Sequence, residues 1–397
     1  MGKRQESKRL DEREAVIDPA VRDPMHTQVR THILHLIGQR GLRAGQKLPS
    51  IRRLSDLTGV GRGTIARAVA QMTDEGIFVS QPCKGVYLAD ADPAGRPAPL
   101  RTIYCLSGAR EGLNTASEYV GHSPFWAQVL RSVRRSVLGC DPAIRLRIAF
   151  LGAFLKEDDA TPRRRNWREI GLLILGDPAP GELSRIVGLG ASAVQIHGIS
   201  RSPNVPSVRI DSAAGIEALV DHLASLGHRR ICYCGLGNRH RRSGPDDSGR
   251  PMTQEYEKYK GFARAMTRRG LPFDPETSCC ECFLGLEEGY QAAQTVLKCS
   301  DRPTAIIAIN DETAIGAMRA VADAGLRIPR DISVAAFDNI DASRYAIPSL
   351  TTVDSRMDEL GQLAVASLLA LHDQGTYQDR VLKPDVIVRE STAAIRE

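Results

Sequence analysis

No apolar run in the 397 residues approaches the roughly 18 that a membrane-spanning helix needs. The opening stretch, MGKRQESKRLDEREAVIDPA, is charged throughout and holds no apolar core of the kind that directs export. These two absences point away from membranes and toward a cytoplasmic protein. Zinc spacing is missing as well. The nine cysteines include Cys232-x-Cys234 and Cys279-Cys280-x-Cys282, but no C-x(2–4)-C pair answered by a second one. The thiols are therefore read as reduced and no metal is expected. Cys232 and Cys234, inside the apolar run ICYCG, read as small buried hydrophobes. The chain also lacks G-x-S-x-G, P-loop and H-E-x-x-H motifs. It is read as a non-enzyme with no cofactor, and no repeat of solenoid period is visible.

What is present is an uneven charge. Residues 25–89 hold nine Lys/Arg against three Asp/Glu, which accounts for the whole formal net charge of +6. A small basic module attached to a neutral body suggests a polyanion partner for the module. The chain divides by composition into a charged tail (1–24), the basic module (25–89), a proline-rich linker (90–101) and a large remainder (102–397).

Within the module, Val29, Ile33, Leu36 and Ile37 fall on one face of a helix. Ser50 is a candidate N-cap for the helix IRRLSDLT, which Gly59 can end. After a glycine turn, RGTIARAVAQMTDEG reads as a second helix with Ile65, Ala68, Val69 and Met72 inward. Arg62, Gly63, Thr64 and Arg67 are left outward or at its N-terminal end. Helix, turn and helix make a helix-turn-helix, whose second helix enters the major groove by its N-terminal residues. IFVSQPCKGVYLA then reads as a hairpin wing with Lys84 at its tip.

The run from Lys47 to Leu88 resembles the GntR-type winged helix. Leu48, Pro49, Ser50, Arg52 and Leu54 match that pattern, as do Gly59, Val60, Arg62, Thr64, Gly76 and Gly85. Gly61 stands where the family has serine, and Ala66 where an arginine often touches DNA. The resemblance implies that double-stranded operator DNA is bound through Ser50, Arg52, Arg53, Arg62, Gly63, Thr64, Arg67, Lys84 and Gly85.

Beyond Thr102, strand-like runs alternate with helical patterns, which argues for an α/β fold with doubly wound parallel sheets in two lobes. The strand-like runs include TIYCL, GLLIL, SAVQI, ICYC, AIIAI and SVAAF. In such sheets ligands bind beyond the carboxyl ends of the strands. Asn310, Asp311, Phe337 and Asp338 occupy two such ends. Asp311 could hold ligand hydroxyls, or simply cap the helix that follows.

The stretch RPTAIIAINDETAIGAMRAVADAGLRIPRDISVAAFDN, with LTTV, LGHRRI and PDVIVREST around it, resembles the LacI/GalR-type effector domain. The resemblance implies a two-lobed, periplasmic-binding-protein-like fold that takes a small carbohydrate-like effector in its cleft. Ser123-Pro124-Phe125-Trp126 stands where that family has N-P-F-F, so Phe125 and Trp126 are expected to cover a sugar ring unless they are core. Lys258 stands where the family often has arginine and gives a point charge instead of a planar fork.

A winged helix joined to such a domain resembles the arabinose-repressor subgroup. It implies a ligand-responsive transcriptional regulator, expected to be a repressor. The alternative is a cytoplasmic sugar-binding or sensor protein without operator specificity. A homodimer is expected through the large domain, with the stripe Leu360, Leu363, Ala364, Ser367, Leu368 and Leu371 as its apolar surface.

Overall fold

The computed structural model describes residues 28–395, except 31, 34–35, 38–41, 43–44, 75–76, 82–83, 90–97, 108–122, 161–165, 179, 201, 237–252 and 376. The expected tail 1–24 and most of the expected linker lie outside the described residues. The chain forms two compact units, Met1–Pro99 with Leu183–Ala191, and Leu100–Glu182 with Ser192–Glu397.

The first unit holds α1 (Ile51–Thr58), α2 (Arg62–Asp74), β1 (Phe78–Gln81) and β2 (Gly85–Leu88). Ser50 caps α1 by accepting from the Arg53 N–H at 3.2 Å, and Gly59 ends it in the left-handed region at φ 70°. Ile65, Ala68, Val69 and Met72 of α2 join Val29, Ile33, Leu48, Leu54 and Phe78 in one small core. β1 and β2 pair antiparallel, with Gln81 opposite Gly85. A short stretch before α1 lies along β2, with Lys47 bridged to Tyr87 and Leu48 N–H bonded to Val86 O at 2.9 Å. The result is a winged helix-turn-helix.

The second unit is α/β. In chain order it runs β3 (Thr102–Ser107), α3 (Pro124–Cys140), β4 (Arg145–Phe150), α4 (Leu151–Ala160), β5 (Ile170–Leu175), α5 (Pro180–Gly188), β6 (Ser192–Ile196) and β7 (Ser207–Ile210). The residues Leu183–Gly188 of α5 group with the first unit. Then come α6 (Ser212–Ser225), β8 (Ile231–Cys234), α7 (Gln254–Arg268), β9 (Cys279–Cys280), α8 (Leu286–Leu297) and β10 (Ala305–Ala308). The rest is α9 (Asp311–Asp323), β11 (Ser333–Asp338), α10 (Asp341–Tyr345), β12 (Thr351–Asp354), α11 (Met357–Gln374), β13 (Arg380–Leu382) and β14 (Asp385–Ile387).

These strands form two six-stranded sheets, ordered β13-β7-β6-β5-β3-β4 and β14-β12-β11-β10-β8-β9. All neighbours pair parallel except β12 with β14. The chain passes between the sheets more than once, because β13 joins the first sheet between β12 and β14, which both belong to the second. One apolar cluster runs through both lobes, from Val129 and Leu173 to Phe262 and Phe337.

α11 corrects one expectation. Its stripe does not face outward. Leu360, Ala364, Ser367 and Leu368 are buried, and Leu363 and Leu371 pack against the same core. The helix lies on α3 and on β5, β6 and β7. Two glycines permit the approach. A Cβ at Gly361 would come within 2.7 Å of the Ser132 Cβ, and one at Gly171 within 2.8 Å of Leu368 Cδ2. The apolar stripe that suggested a dimer surface is the joint by which the C-terminal helix closes the first lobe.

Candidate functional site

In the winged module, Ser50, Arg52, Lys84 and Gly85 line a single depression of about 430 Å³. The wing turn closes with Lys84 N–H donating to Gln81 O at 3.0 Å. Lys47 lines the same depression. Its stem lies so close to Gly85 that a Cβ there would sit 2.7 Å from Lys47 Cε. Lys47 was missed in the sequence because the wing pairing that brings it to Gly85 is long-range. Arg53, Arg62, Gly63 and Arg67 are exposed on α1 and α2, and Thr64 is half-buried. Arg62 is the first residue of α2, where helix N–H groups also point outward. With Gly61 in the serine position, α2 starts on the Gly61 carbonyl, which accepts from Thr64 N–H at 3.0 Å.

The second candidate site lies at the carboxyl ends of the two sheets. On the second sheet, β10 runs into Asn310, whose side chain caps α9 by accepting from Thr313 N–H at 2.9 Å. Asn310, not Asp311, is therefore the cap. Asp311 is fully buried, and both its oxygens accept bonds from the protein, one from the Ile340 N–H at 2.8 Å and one from the Thr352 hydroxyl. It braces the turn that follows β11, and neither oxygen is left open to a ligand. Burial, then the neighbouring Asp338 charge, pushes its carboxyl well above the usual range.

The braced turn is strained. Asp338 has φ 116° and Asn339 φ 59°, values that residues with a Cβ rarely adopt. Arg389 holds it from the C-terminal segment, donating to Asn339 Oδ1 at 2.6 Å and to the Leu350 carbonyl at 2.6 Å. Asp338 receives the Ser355 hydroxyl at 3.1 Å and pairs with Lys258 at 3.8 Å. Lys258, on α7, also donates to the Ile309 carbonyl at 2.8 Å, and its ammonium stands 4.1 Å from the centre of the Phe337 ring. Phe337 is completely buried beneath it. Burial raises the Asp338 carboxyl, and Lys258 draws it back.

On the first lobe, Ser123 caps α3 by accepting from Trp126 N–H at 3.4 Å. Phe125 and Trp126 sit in its first turn, their ring centres 4.9 Å apart, and both belong to the core cluster. His197, just past the end of β6, completes a three-ring group at 4.9 Å from Phe125 and 6.3 Å from Trp126. It has φ 53°, and its Nδ1 has no hydrogen-bond partner among the described residues. Burial, then the charges of Lys258 and Arg209, pushes its imidazole down to about 3. The Lys258 charge thus acts on a group of the first lobe. The rule that found Asn310 and Asp338 also points to His197, but a lone histidine after SAVQI carries no motif.

Among the described residues, no group of three or more His, Cys, Asp or Glu is arranged to hold a metal ion. No helix among them is long and apolar enough to cross a membrane.

A winged helix-turn-helix followed by two lobes built on mostly parallel sheets defines a class, the binding-protein fold joined to a DNA-binding type of module. Comparison with known families makes the assignment specific. Residues 26–88 match bacterial regulatory proteins of the gntR family, and residues 220–392 match the periplasmic binding protein-like domain. The chain thus joins a module that matches the gntR family to a domain that matches the periplasmic binding protein-like family.

Over 136 residues it is 36% identical to the HTH-type transcriptional repressor PurR of Pasteurella multocida, covering 34% of this chain and 40% of that protein. Over 195 residues it is 31% identical to the ribose operon repressor of Haemophilus influenzae, covering 49% and 55%. Over 191 residues it is 34% identical to the regulator DegA of Bacillus subtilis, covering 47% and 52%. The chain spans about half the length of the curated relatives it matches.

Among solved structures, transcription regulator CcpA of Lactococcus lactis superposes with a TM-score of 0.59 at 20% identity, over 74% of this chain and 99% of that one. The CelR–cellobiose complex superposes with a TM-score of 0.61 at 19% identity, over 87% and 100%. At these identities the likeness shows the fold alone.

Proposed function

We propose that this chain is a ligand-responsive transcriptional repressor that binds operator DNA through the winged module and a carbohydrate-like effector between the lobes. The observation that carries the reading is the presence in one chain of a winged module with Lys47, Arg52 and Lys84 around one depression and a binding-protein fold with a buried Lys258–Asp338 pair at the ends of its strands. Two of these relatives are repressors by name, one of them of a ribose operon, and one structural neighbour holds cellobiose.

In this reading Arg62, Gly63, Thr64 and Arg67 meet base edges and phosphates. Ser50, Arg52, Arg53, Lys84 and Gly85, with Lys47, anchor the backbone. Asn310, Lys258 and Asp338 hold ligand hydroxyls above Phe337, with Asp311 positioning the turn. Ser123, Phe125 and Trp126 shape the opposite wall. Lobe closure on the ligand favours one arrangement of the dimer over the other through differential affinity.

The protein acts in the cytoplasm as a homodimer, since one module reads only a half-site. With the α11 stripe used internally, Tyr345 and Ile347, 77% and 95% exposed, supply the apolar surface for pairing. The test is fluorescence anisotropy of the full chain on its own upstream region with a panel of sugars. Tight, salt-dependent binding that one sugar releases supports the proposal. Sugar binding by calorimetry with no preference for that region over random DNA would favour the sensor reading.

A further inference from the structure

The second lobe carries six cysteines that neither site uses. Cys232 and Cys234 alternate along β8 and face the apolar cluster they share with Ala292 and Val296 of α8. Cys279 and Cys280 form β9, the edge strand beside β8. The two strands pair parallel, with Cys234 directly opposite Cys280. Partnered residues of neighbouring strands project to the same face, and the strands lie roughly 4.7–4.9 Å apart. That spacing is inside the window of about 4.4–6.8 Å between Cα atoms that a disulfide bridges. The Cys234 thiol lies against those of Cys232 and Cys280. By contrast, Cys232 and Cys234 are two positions apart on an extended strand, about 6.6 Å at ordinary strand rise, near the far limit of that window.

Access is one-sided. A cavity of about 800 Å³ is lined by Cys232, Cys279 and Cys280 with Thr295 and Val296. Cys234 is fully buried behind it, whereas Cys280 is half-buried.

We propose that Cys234 and Cys280 are an oxidisable pair, which a hydroperoxide entering this cavity converts to a disulfide joining β9 to β8. The Cys280 sulphur, as thiolate, attacks the terminal oxygen of the peroxide. The O–O bond breaks, and the alkoxide leaves with the thiol proton as an alcohol, giving a sulfenic acid. The Cys234 sulphur then attacks the Cys280 sulphur. The S–O bond breaks, and hydroxide leaves with the Cys234 proton as water. Two thiols lose two electrons, and the peroxide is reduced to alcohol and water.

Hydrogen bonding with the neighbouring Cys232 and Cys280 thiols, then burial, pushes the Cys234 thiol well up, so its step is slow. The same disfavoured thiolate makes the finished disulfide hard to reduce. The staple would adjoin the ligand site. The Cys234 carbonyl accepts from Ile309 N–H at 2.8 Å, and the Ile309 carbonyl accepts from Lys258.

The test uses the full chain, fully reduced, then treated with millimolar hydrogen peroxide, alkylated and digested with trypsin. The expected product is peptide 231–239 linked to peptide 270–298, two hydrogens lighter than their sum. It should be reversed by dithiothreitol, retained in Cys232→Ser, and lost in Cys280→Ala. A link that survives in Cys280→Ala would overturn the proposal. So would parent protein in which Cys234 and Cys280 stay alkylatable or are only over-oxidised, a result that needs no variant to fold.

Discussion

At the carboxyl ends of the second sheet the polar groups are tied to their own lobe, Asn310 to α9, Asp311 to Ile340 and Thr352, Asp338 to Ser355 and Lys258. At the ends of the first sheet the wall is three rings packed on one another, with the His197 Nδ1 unpartnered among the described residues. Both walls carry left-handed backbone, at Asp338 and Asn339 on one side and His197 on the other. Such conformations cost about 1–3 kcal/mol each and persist only where the surroundings hold them. Hydrogen bonds fix direction, and a fully satisfied buried network is rigid. Ring packing fixes separation but tolerates tilt. In the proposed function, the second lobe would set a pattern of hydroxyls and the first the thickness of what fits.

The sharpest way to break this contrast is Asp311→Ala. It leaves the Ile340 N–H and the Thr352 hydroxyl without an acceptor, and each buried loss costs about 1–3 kcal/mol. Urea unfolding should show a loss of about 2 kcal/mol or more, with Asp311→Asn less damaged. A loss under about 0.5 kcal/mol would show that the turn needs no brace. Arg62→Ala belongs to the other unit and should leave that stability alone. Instead it should lose about 1–3 kcal/mol of discrimination between operator and random DNA. Lys84→Ala should weaken both equally and lower the salt slope by about one. Equal operator preference in Arg62→Ala and parent would remove the docking assigned to α2. On the ring wall, Phe125→Leu should cost only about 1 kcal/mol, since packing can adjust. If it destabilised as much as Asp311→Ala, the two walls would not differ in the way described.

The DNA module was legible because its signals are local. Ser50, Gly59 and the glycine turn act within a few residues of themselves, and Ile65, Ala68, Val69 and Met72 are all buried as their spacing required. The second lobe was legible through the strand-end rule and a dense family pattern. Three things were hidden, each because it depends on partners far along the chain. The α11 stripe gives no sign in its periodicity of whether a second copy or α3 will cover it. Asp311 reads alike as cap, ligand holder or brace until Thr352 and Ile340 are seen beside it. Arg389, in a short C-terminal segment, gives no hint of the turn 50 residues earlier that it holds.

The smallest expected effect separates the walls by charge. His197 in the folded chain takes a proton only near pH 3, against an ordinary 6.5. Between those values the unfolded chain binds more protons, so this group makes stability fall as pH drops through 6.5. Asp311 and Asp338 act oppositely, because burial raises their carboxyls and the folded chain takes their protons first on acidification. Their contribution therefore improves at acid pH. Asn tolerates the left-handed backbone at φ 53° and does not titrate, which makes His197→Asn the suitable variant. Between pH 7 and pH 6 the parent should lose about 0.7 kcal/mol more than the variant, the difference expected for one histidine whose folded form stays neutral. Other histidines titrate in both proteins and cancel in the comparison. Urea midpoints at the two pH values read the difference directly, and parallel pH dependence in parent and variant would mean that His197 takes its proton in the folded chain as readily as in the unfolded one.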